Sequence, residues 1–268
     1  MGRSRRSVGH GENSKTTIAP GLCNANACAN ELIAMDDEVA LAMDLRAISP
    51  SLRCFTPART VFVAPICGAL PKKAARALAE LLPILGCGEE AAGLAFNDLA
   101  DGEDGEAAKA LRRVAAEEQV HDGLIQAMAA GLPAPPDQTR IRAMSRRFHL
   151  ELGQGDAAIR LARIAALDSA VCLLLSRLLR PGTPLAADGV LAPVLRRIAR
   201  DEACHVRITR ELAISRTSDV SLQVVGSMVR ERLGALLLEV ADAFDALSFD
   251  PRWLQTDVSQ LPAALYRA

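Results

Sequence analysis

Aromatic residues are scarce in this chain, and neither sign of charge is in excess. Its 268 residues include one Trp, one Tyr and six Phe, and the formal net charge is −1. Because basic residues are not in excess, the charge does not indicate a nucleic-acid binder or a protein that docks on an acidic membrane. Ala and Leu dominate the apolar residues, and both are good helix formers. The composition therefore favours an all-α protein.

Long apolar runs are missing as well. No stretch of about twenty uninterrupted apolar residues occurs, so we predict no membrane span. The Arg-rich start at 1–15 is not followed by an apolar run, so we predict no secretory signal. The seven cysteines are an odd number, and their spacings match no zinc motif. A reduced, cytoplasmic environment is the simplest interpretation.

The composition divides the chain into a polar start and a long helical part. Residues 1–30 are polar and lack periodicity, so we predict a flexible N-terminal segment. Residues 31–268 are predicted to form a single helical domain. Its first helix, at 31–47, is predicted to end at Ser49-Pro50 because proline disfavours a continuing helix. Thr60–Val63 is predicted as a short strand without an evident partner.

Four long helical segments begin at residue 71. They are predicted at 71–99, 104–130, 137–179 and 188–215. The third is interrupted near 153–155, and the first contains Pro83, which must kink the helix or delay its start. Short breaks between long helices are typical of antiparallel neighbours in a bundle. We therefore predict an all-α fold with a four-helix bundle core at about 71–215 and additional helices at both ends, including one at 219–247.

Two of the four histidines have a glutamate three residues earlier. Glu118 precedes His121 and Glu202 precedes His205, each in the middle of a predicted long helix. Positions i and i+3 share one face of a helix, so the two side chains of each motif can bind the same metal ion. A bundle that adds one carboxylate from each of its two other helices forms a dinuclear metal site. His149 lacks this spacing and is left unassigned.

The third helix offers one clear carboxylate, Asp168. It is the only acidic residue in 161–179, and leaving it unpaired there would be costly because its neighbours are apolar. The turn near Leu185 lies midway between Asp168 and Glu202, so two antiparallel helices bring these side chains level. The alternative is a structural Asp168 bonded to a nearby arginine such as Arg163.

The first helix offers two adjacent candidates, Glu89 and Glu90. Position 89 continues the apolar stripe of that helix, so we choose Glu89 and keep Glu90 as the alternative. The stripe consists of Leu78, Leu82, Leu85, Ala92, Phe96 and Leu99. The predicted metal ligands are therefore Glu89, Glu118, His121, Asp168, Glu202 and His205.

The sequence also predicts the roles of several residues next to these ligands. Asp201 either bonds a ligand histidine and fixes its orientation or is a solvated helix charge. Glu117 and Asp122 are predicted surface charges. Cys172 and Cys204 are predicted to be small core residues rather than ligands.

The residues 201–205, Asp-Glu-Ala-Cys-His, resemble the Asp-Glu-x-Arg-His motif of ferritin-like di-iron oxidases and oxygenases. This group includes acyl-carrier desaturases, ribonucleotide reductase small subunits and arylamine N-oxygenases. The order of the six predicted ligands is also similar to theirs, and the resemblance covers roughly 71–215. Cys204 departs from the usual Arg, and Asp168 stands where Glu is commoner. Ile198 stands where arylamine N-oxygenases have an extra His, so that subfamily is not assigned. Ribonucleotide reductase small subunits need a tyrosine near the iron. The sole tyrosine, Tyr266, is far from the motifs in sequence, so that subfamily is not assigned either.

The resemblance implies a non-haem di-iron enzyme that activates dioxygen to oxidise a small organic substrate, free or carrier-bound. Its cofactor would be two Fe ions, with Mn as the alternative, because carboxylate and imidazole ligands suit either metal. Dioxygen and a small-molecule substrate are then partners, and an electron donor and a homodimer are compatible with this function. The alternatives are a ferroxidase or other iron-handling protein, a dimanganese catalase and a metal-free helical adaptor.

Overall fold

A computed structural model describes residues 47–56, 60–217 and 219–267. The predicted flexible segment at 1–30 lies outside these residues. So does the predicted helix at 31–47, except for its last residue. All of the described residues belong to a compact unit that spans Leu45–Ala268.

A short β-hairpin precedes the helices. Strand β1 (Ala47–Pro50) pairs with β2 (Thr60–Val63) in antiparallel register, with Ala47 opposite Val63 and Pro50 opposite Thr60. The strand predicted at 60–63 is thus confirmed. Its partner is the segment where the first helix was expected to end, and Pro50 is tolerated there because it occupies the last position of an edge strand.

The rest of the described chain is helical. Its α-helices are α1 (Lys72–Asp101), α2 (Gly105–Ala130), α3 (Thr139–Leu152), α4 (Ala157–Leu178), α5 (Pro184–Ala187), α6 (Leu191–Ile214), α7 (Asp219–Leu238) and α8 (Ala241–Ala246). A π-helical segment (Leu254–Val258) follows them. The predicted helices at 71–99, 104–130 and 188–215 are confirmed to within a few residues at each end.

Two predicted helices differ in detail. The segment at 137–179 forms two separate helices, because Gly155 adopts φ +96° and the Asp156 carboxylate caps the start of α4 by accepting from Ile159 N at 2.9 Å. The segment at 219–247 is divided after Leu238. Helix α1 begins at Lys72 and continues through Pro83, so the alternative of a later start is wrong.

The long helices pack in pairs. Helix α1 packs along α2 and α4 packs along α6, while α2 also contacts α6. The short connections make each pair antiparallel. Helix α7 covers α4, and α3 covers α1. None of the helices in the described part of the chain is both long and apolar enough to span a membrane.

The apolar core consists of two clusters along these four helices. One contains Leu82, Ile125 and Leu175, and the other contains Phe96 and Leu161. On each helix the sequence-predicted ligands lie between residues of the first cluster and residues of the second. A polar layer therefore divides the core at the same level of all four helices.

The C-terminal tail returns to this core. Tyr266 is completely buried, and its hydroxyl donates to the carbonyl of Ala162 on α4 at 2.5 Å. Arg230 of α7 is also buried, and its guanidinium donates to Ser169 Oγ at 2.8 Å and to the carbonyl of Asp257 at 2.9 Å. These bonds attach α7 and the tail to the helix that carries Asp168.

Candidate metal centre

The polar layer is formed by six side chains, all of which are at most 6% exposed. They are Glu89 of α1, Glu118 and His121 of α2, Asp168 of α4, and Glu202 and His205 of α6. A buried carboxylate requires compensation by hydrogen bonds, opposite charge or metal coordination. The partners of each group therefore decide what the layer can do.

His121 faces three carboxylates with one side of its ring. Its Nδ1 lies 3.3 Å from Glu89 Oε2 and 3.4 Å from Glu202 Oε1. Glu118 Oε2 is 3.7 Å away. Among the described residues, none of these approaches has hydrogen-bond geometry, and His121 Nδ1 has no hydrogen-bond partner.

His205 faces the same central carboxylates. Its Nδ1 lies 2.9 Å from Glu118 Oε1 and 3.8 Å from Glu202 Oε1, again without a hydrogen bond to a described residue. The two imidazole centroids are 5.8 Å apart. Glu118 and Glu202 therefore stand between the two rings, within reach of both.

The far nitrogen of each ring bonds a different carboxylate. His121 Nε2 lies 3.2 Å from Asp201 Oδ2, and His205 Nε2 lies 2.9 Å from Glu117 Oε2. If Nε2 carries the proton, Nδ1 presents its lone pair to the central carboxylates. A carboxylate behind the imidazole is the usual support of a metal-binding histidine, because it fixes the tautomer and the ring orientation.

These contacts test the predictions made for the acidic residues next to the predicted ligands. Of the two alternatives for Asp201, the structure shows the bond to a histidine. The Glu117 side chain is 38% exposed, as expected of a surface charge, and it also bonds His205. The expectation of a surface charge is wrong for Asp122, which is buried and bonds Arg53 Nε at 2.8 Å. Cys204 is exposed and therefore not a core residue, whereas Cys172 is half-buried.

Asp168 is buried beside the others without a bond of its own. Its Oδ2 has no hydrogen-bond partner among the described residues. The alternative of a bond to Arg163 is not observed, because that guanidinium donates to the carbonyls of Glu151 and Leu152. Burial, followed by the charge of Glu202, holds the pKa of Asp168 well above its ordinary value.

The two adjacent glutamates of α1, Glu89 and Glu90, point to different surroundings. The Glu90 carboxylate accepts backbone N–H bonds from Phe55 and Thr56 at 2.8 and 2.7 Å, and a third from Cys54. Glu89 lies in the polar layer, and its Oε2 has no hydrogen-bond partner in the described part of the chain. Glu90 therefore anchors the segment after β1, and Glu89 is the one beside His121.

The titratable groups of the layer shift one another's pKa. Burial and then the charge of Glu118 raise the pKa of Glu89 and of Glu202. Burial also acts to raise the pKa of Glu118, but the two histidines outweigh it and lower the pKa to about 2. For His205, burial is outweighed by Glu117 and Glu118, which raise the pKa to about 11. If metal binding displaces the protons of these groups, four carboxylates and two neutral imidazoles carry four negative charges, which favour a bound cation.

The donor set fits a metal ion. Ligand atoms of Glu89, Glu118, His121 and Glu202 all lie within 4.8 Å of one another, so this buried group could hold one. Asp168 and His205 lie outside that group of four. The buried atoms that lack a hydrogen bond to any described residue include Glu89 Oε2, His121 Nδ1, Asp168 Oδ2 and His205 Nδ1. A cation in this group would satisfy Glu89 Oε2 and His121 Nδ1, and Asp168 Oδ2 and His205 Nδ1 would need a second one.

An apolar cavity of about 60 Å³ adjoins the layer. Glu89, Glu118, Asp168 and Glu202 line one part of it, and side chains of α1, α3, α4 and α7 line the rest. The apolar lining includes Ile84, Leu85, Phe148, Leu167, Val171, Leu174 and Leu233. An organic group in this space would lie directly beside the carboxylates.

His149 of α3 also lines this cavity. Burial lowers its pKa to about 4, so the imidazole is neutral at pH 7. The His149 imidazole forms no hydrogen bond with a residue that the structure describes. Sequence reasoning missed it because the only signal was a histidine near a helix end.

Tyr266 also differs from expectation. Because Tyr266 stands near the end of the chain, the sequence predicts that it lies far from the motifs. The structure buries it in the apolar cluster that contains Phe96, whose ring packs edge-on against His205 with centroids 6.1 Å apart. Distance along the sequence was a poor guide because the tail folds back onto α4.

No protein-family model, curated protein or solved structure matches this chain. Its function is therefore inferred from the side chains of the polar layer and the cavity beside it.

Proposed function

We propose that this protein is a non-haem di-iron oxidase or oxygenase with a ferritin-like four-helix bundle. The observation that carries the proposal is the matched pair of histidines. Each presents an unbonded Nδ1 to the buried carboxylates Glu118 and Glu202, and each is held at Nε2 by a further carboxylate. Two such histidines support a site for two ions better than a site for one.

The ligands divide naturally between two ions. Glu118 and Glu202 approach both imidazoles, so they would be shared. Glu89 accompanies His121, and Asp168 would accompany His205 on the other side. Oxygen and nitrogen ligands without thiolate favour iron or manganese over copper or zinc.

The ions, when bound, supply the electrons that reduce dioxygen. The chain supplies position and surroundings. Asp201 and Glu117 hold the Nε2 protons of the two histidines and so fix their rings. The apolar wall excludes water and accepts the apolar part of a substrate, while neutral His149 offers one hydrogen bond to a polar group.

The lining of the cavity helps to choose between the alternative functions. Its apolar lining favours a small organic substrate over passage of hydrated iron, so it supports an oxygenase over a ferroxidase. Assembly into a large cage with accumulation of ferric mineral would instead support iron storage. Rapid turnover of hydrogen peroxide by the manganese form would support a catalase.

The first test is metal content after anaerobic loading with Fe(II). We expect close to two Fe per chain in the wild type and a large loss in Glu202→Ala and His121→Ala, with the helical circular dichroism retained. Glu211→Ala is the matched control, because Glu211 is an exposed glutamate on the same helix as Glu202. Wild-type iron content in both ligand variants would contradict the site, and no iron in the wild type would favour a metal-free adaptor.

A second pair of variants tests the choice on α1. Glu89→Gln should lower the iron content, whereas Glu90→Gln should retain it, because only Glu89 lies beside His121. Dioxygen consumption by the loaded wild type, measured with small apolar amines, alcohols and fatty acids, then tests the reaction. Products heavier by one oxygen atom would support an oxygenase.

A further inference from the structure

Two cysteines outside the polar layer lie against each other. Cys87 of α1 is completely buried, and Cys54, in the segment after β1, is half-buried. Each thiol is the strongest influence on the pKa of the other, which requires them to lie close together, and both are free. Neither belongs to the proposed metal ligands.

The fold holds the two thiols together from both sides. A Cβ at Gly86 would lie 2.7 Å from the Cβ of Leu52, so the segment passes very close to α1 at that point. Glu90, one turn further along α1, accepts the backbone N–H of Cys54 and of Phe55. Because positions 87 and 90 share one helix face, the segment must pass Cys87 between these two contacts.

The surroundings of Cys54 favour its reactive form. The Arg142 guanidinium donates to the carbonyls of Ser51 and Arg53, which places a positive charge beside this segment. The Cys87 thiol and the charge of Arg142 lower the pKa of Cys54, although burial and the charge of Glu90 oppose them. A half-buried thiolate next to a cation and a second thiol is typical of cysteines that oxidise selectively.

We propose that Cys54 and Cys87 are a dithiol that hydrogen peroxide converts to a disulfide. The Cys54 thiolate attacks one peroxide oxygen, the O–O bond breaks, and the leaving hydroxide takes up a proton to become water. The sulfur of Cys87 then attacks the sulfur of the Cys54 sulfenic acid, and a second water leaves as the S–S bond forms. The two thiols lose two electrons and peroxide gains two.

The disulfide would attach the segment 51–56 covalently to α1, two residues before Glu89. It therefore offers a way for oxidant to stiffen the wall of the polar layer. The site stands independently of the proposed di-iron function, because it uses none of the same residues.

The test is disulfide mapping on the full-length protein. The wild type is treated with hydrogen peroxide in the presence of a chelator, its remaining thiols are alkylated, and it is digested with trypsin. Cys54 and Cys87 fall in separate tryptic peptides, 54–59 and 77–109, and each peptide contains a single cysteine. We expect these peptides to be linked after oxidation and released by dithiothreitol.

Two variants separate a specific pair from general oxidation. In Cys54→Ser, Cys87 should remain a free thiol, because Cys87 is completely buried and lacks its partner thiol. Cys204→Ser, which removes an exposed cysteine of α6, should still form the link. Separate alkylation of Cys54 and Cys87 in the oxidised wild type, or equal oxidation of Cys87 in Cys54→Ser, would overturn the proposal.

Discussion

Asp168 is the residue whose burial is hardest to explain without a bound cation. It is 5% exposed, and within the described part of the chain its Oδ2 has no hydrogen bond and no arginine forms an ion pair with it. A buried polar atom left unbonded costs roughly 1–3 kcal/mol. Sites that bind ligands commonly give up stability in this way.

Replacement of this carboxylate should therefore stabilise the metal-free protein. We expect Asp168→Leu to raise the free energy of unfolding by about 1–3 kcal/mol in the presence of a chelator, because it removes a buried acid. The adjoining cavity has room for the larger side chain. The same variant should bind less iron, and urea melts with metal analysis measure both effects.

The control for this variant is Asp101→Leu, at an exposed position of α1. It should change stability by no more than about 0.5 kcal/mol and leave the iron content unchanged. A metal-free Asp168→Leu protein that is less stable than the wild type would mean that Asp168 is a structural carboxylate rather than a ligand.

At the level of elements, Asp188 connects the start of α6 to the segment before α1. Its Oδ1 accepts from Val190 N and Leu191 N at 2.9 and 2.8 Å, and its Oδ2 accepts from Ala69 N at 2.7 Å. Gly68 is required beside it, since a Cβ there would lie 2.5 Å from Asp188 Oδ2. Burial acts to raise the pKa of Asp188, but these backbone donors outweigh it and lower the pKa.

This helix start should give a pH-dependent stability. We expect Asp188→Ala to lower the free energy of unfolding by about 1–2 kcal/mol at neutral pH. The folded pKa lies below the unfolded value of about 3.9, so the charged carboxylate contributes fully above that value. The contribution is lost as pH falls through the folded pKa, and the two proteins should converge.

Urea melts of the wild type and of Asp188→Ala between neutral and acidic pH measure this convergence. Asp245→Ala, at an exposed acidic position, is the control and should track the wild type at every pH. A stability difference for Asp188→Ala that stays constant into acid would show that the ionised carboxylate is not the source of the effect.

At the level of the whole molecule, the polar layer lies between two apolar clusters and receives side chains from four helices. A cation held by Glu89, Glu118, His121 and Glu202 would connect α1, α2 and α6 at one level. Because the unfolded chain cannot assemble this donor set, metal binding should stabilise the folded state by mass action.

We therefore expect Mn(II) or anaerobic Fe(II) to raise the melting temperature of the wild type. Metal at about a hundred times its dissociation constant adds about 2.7 kcal/mol. For a chain of this size that corresponds to roughly 5–10 °C. Differential scanning calorimetry measures the shift, which should be absent in Glu202→Ala. An equal shift in that variant would place the metal elsewhere.

The sequence by itself determined what is local. Helical periodicity, breakers such as Gly155 and the Glu-x-x-His spacing depend on neighbours within a few residues. The helices and the shared faces of Glu118 with His121 and of Glu202 with His205 could therefore be predicted. Asp168 could be chosen because it was the only acid in an apolar stretch.

Only the tertiary structure decided which side chains meet across helices. Adjacent residues of a helix point about 100° apart. Whether Glu89 or Glu90 faces the site therefore depends on the rotation of α1 against α2. The contact of Asp201 with His121 and the burial of Tyr266 involve residues far apart in sequence, and such contacts follow from packing that no local pattern encodes. For that reason the sequence predicted the motifs, and the fold alone showed that their histidines share two carboxylates.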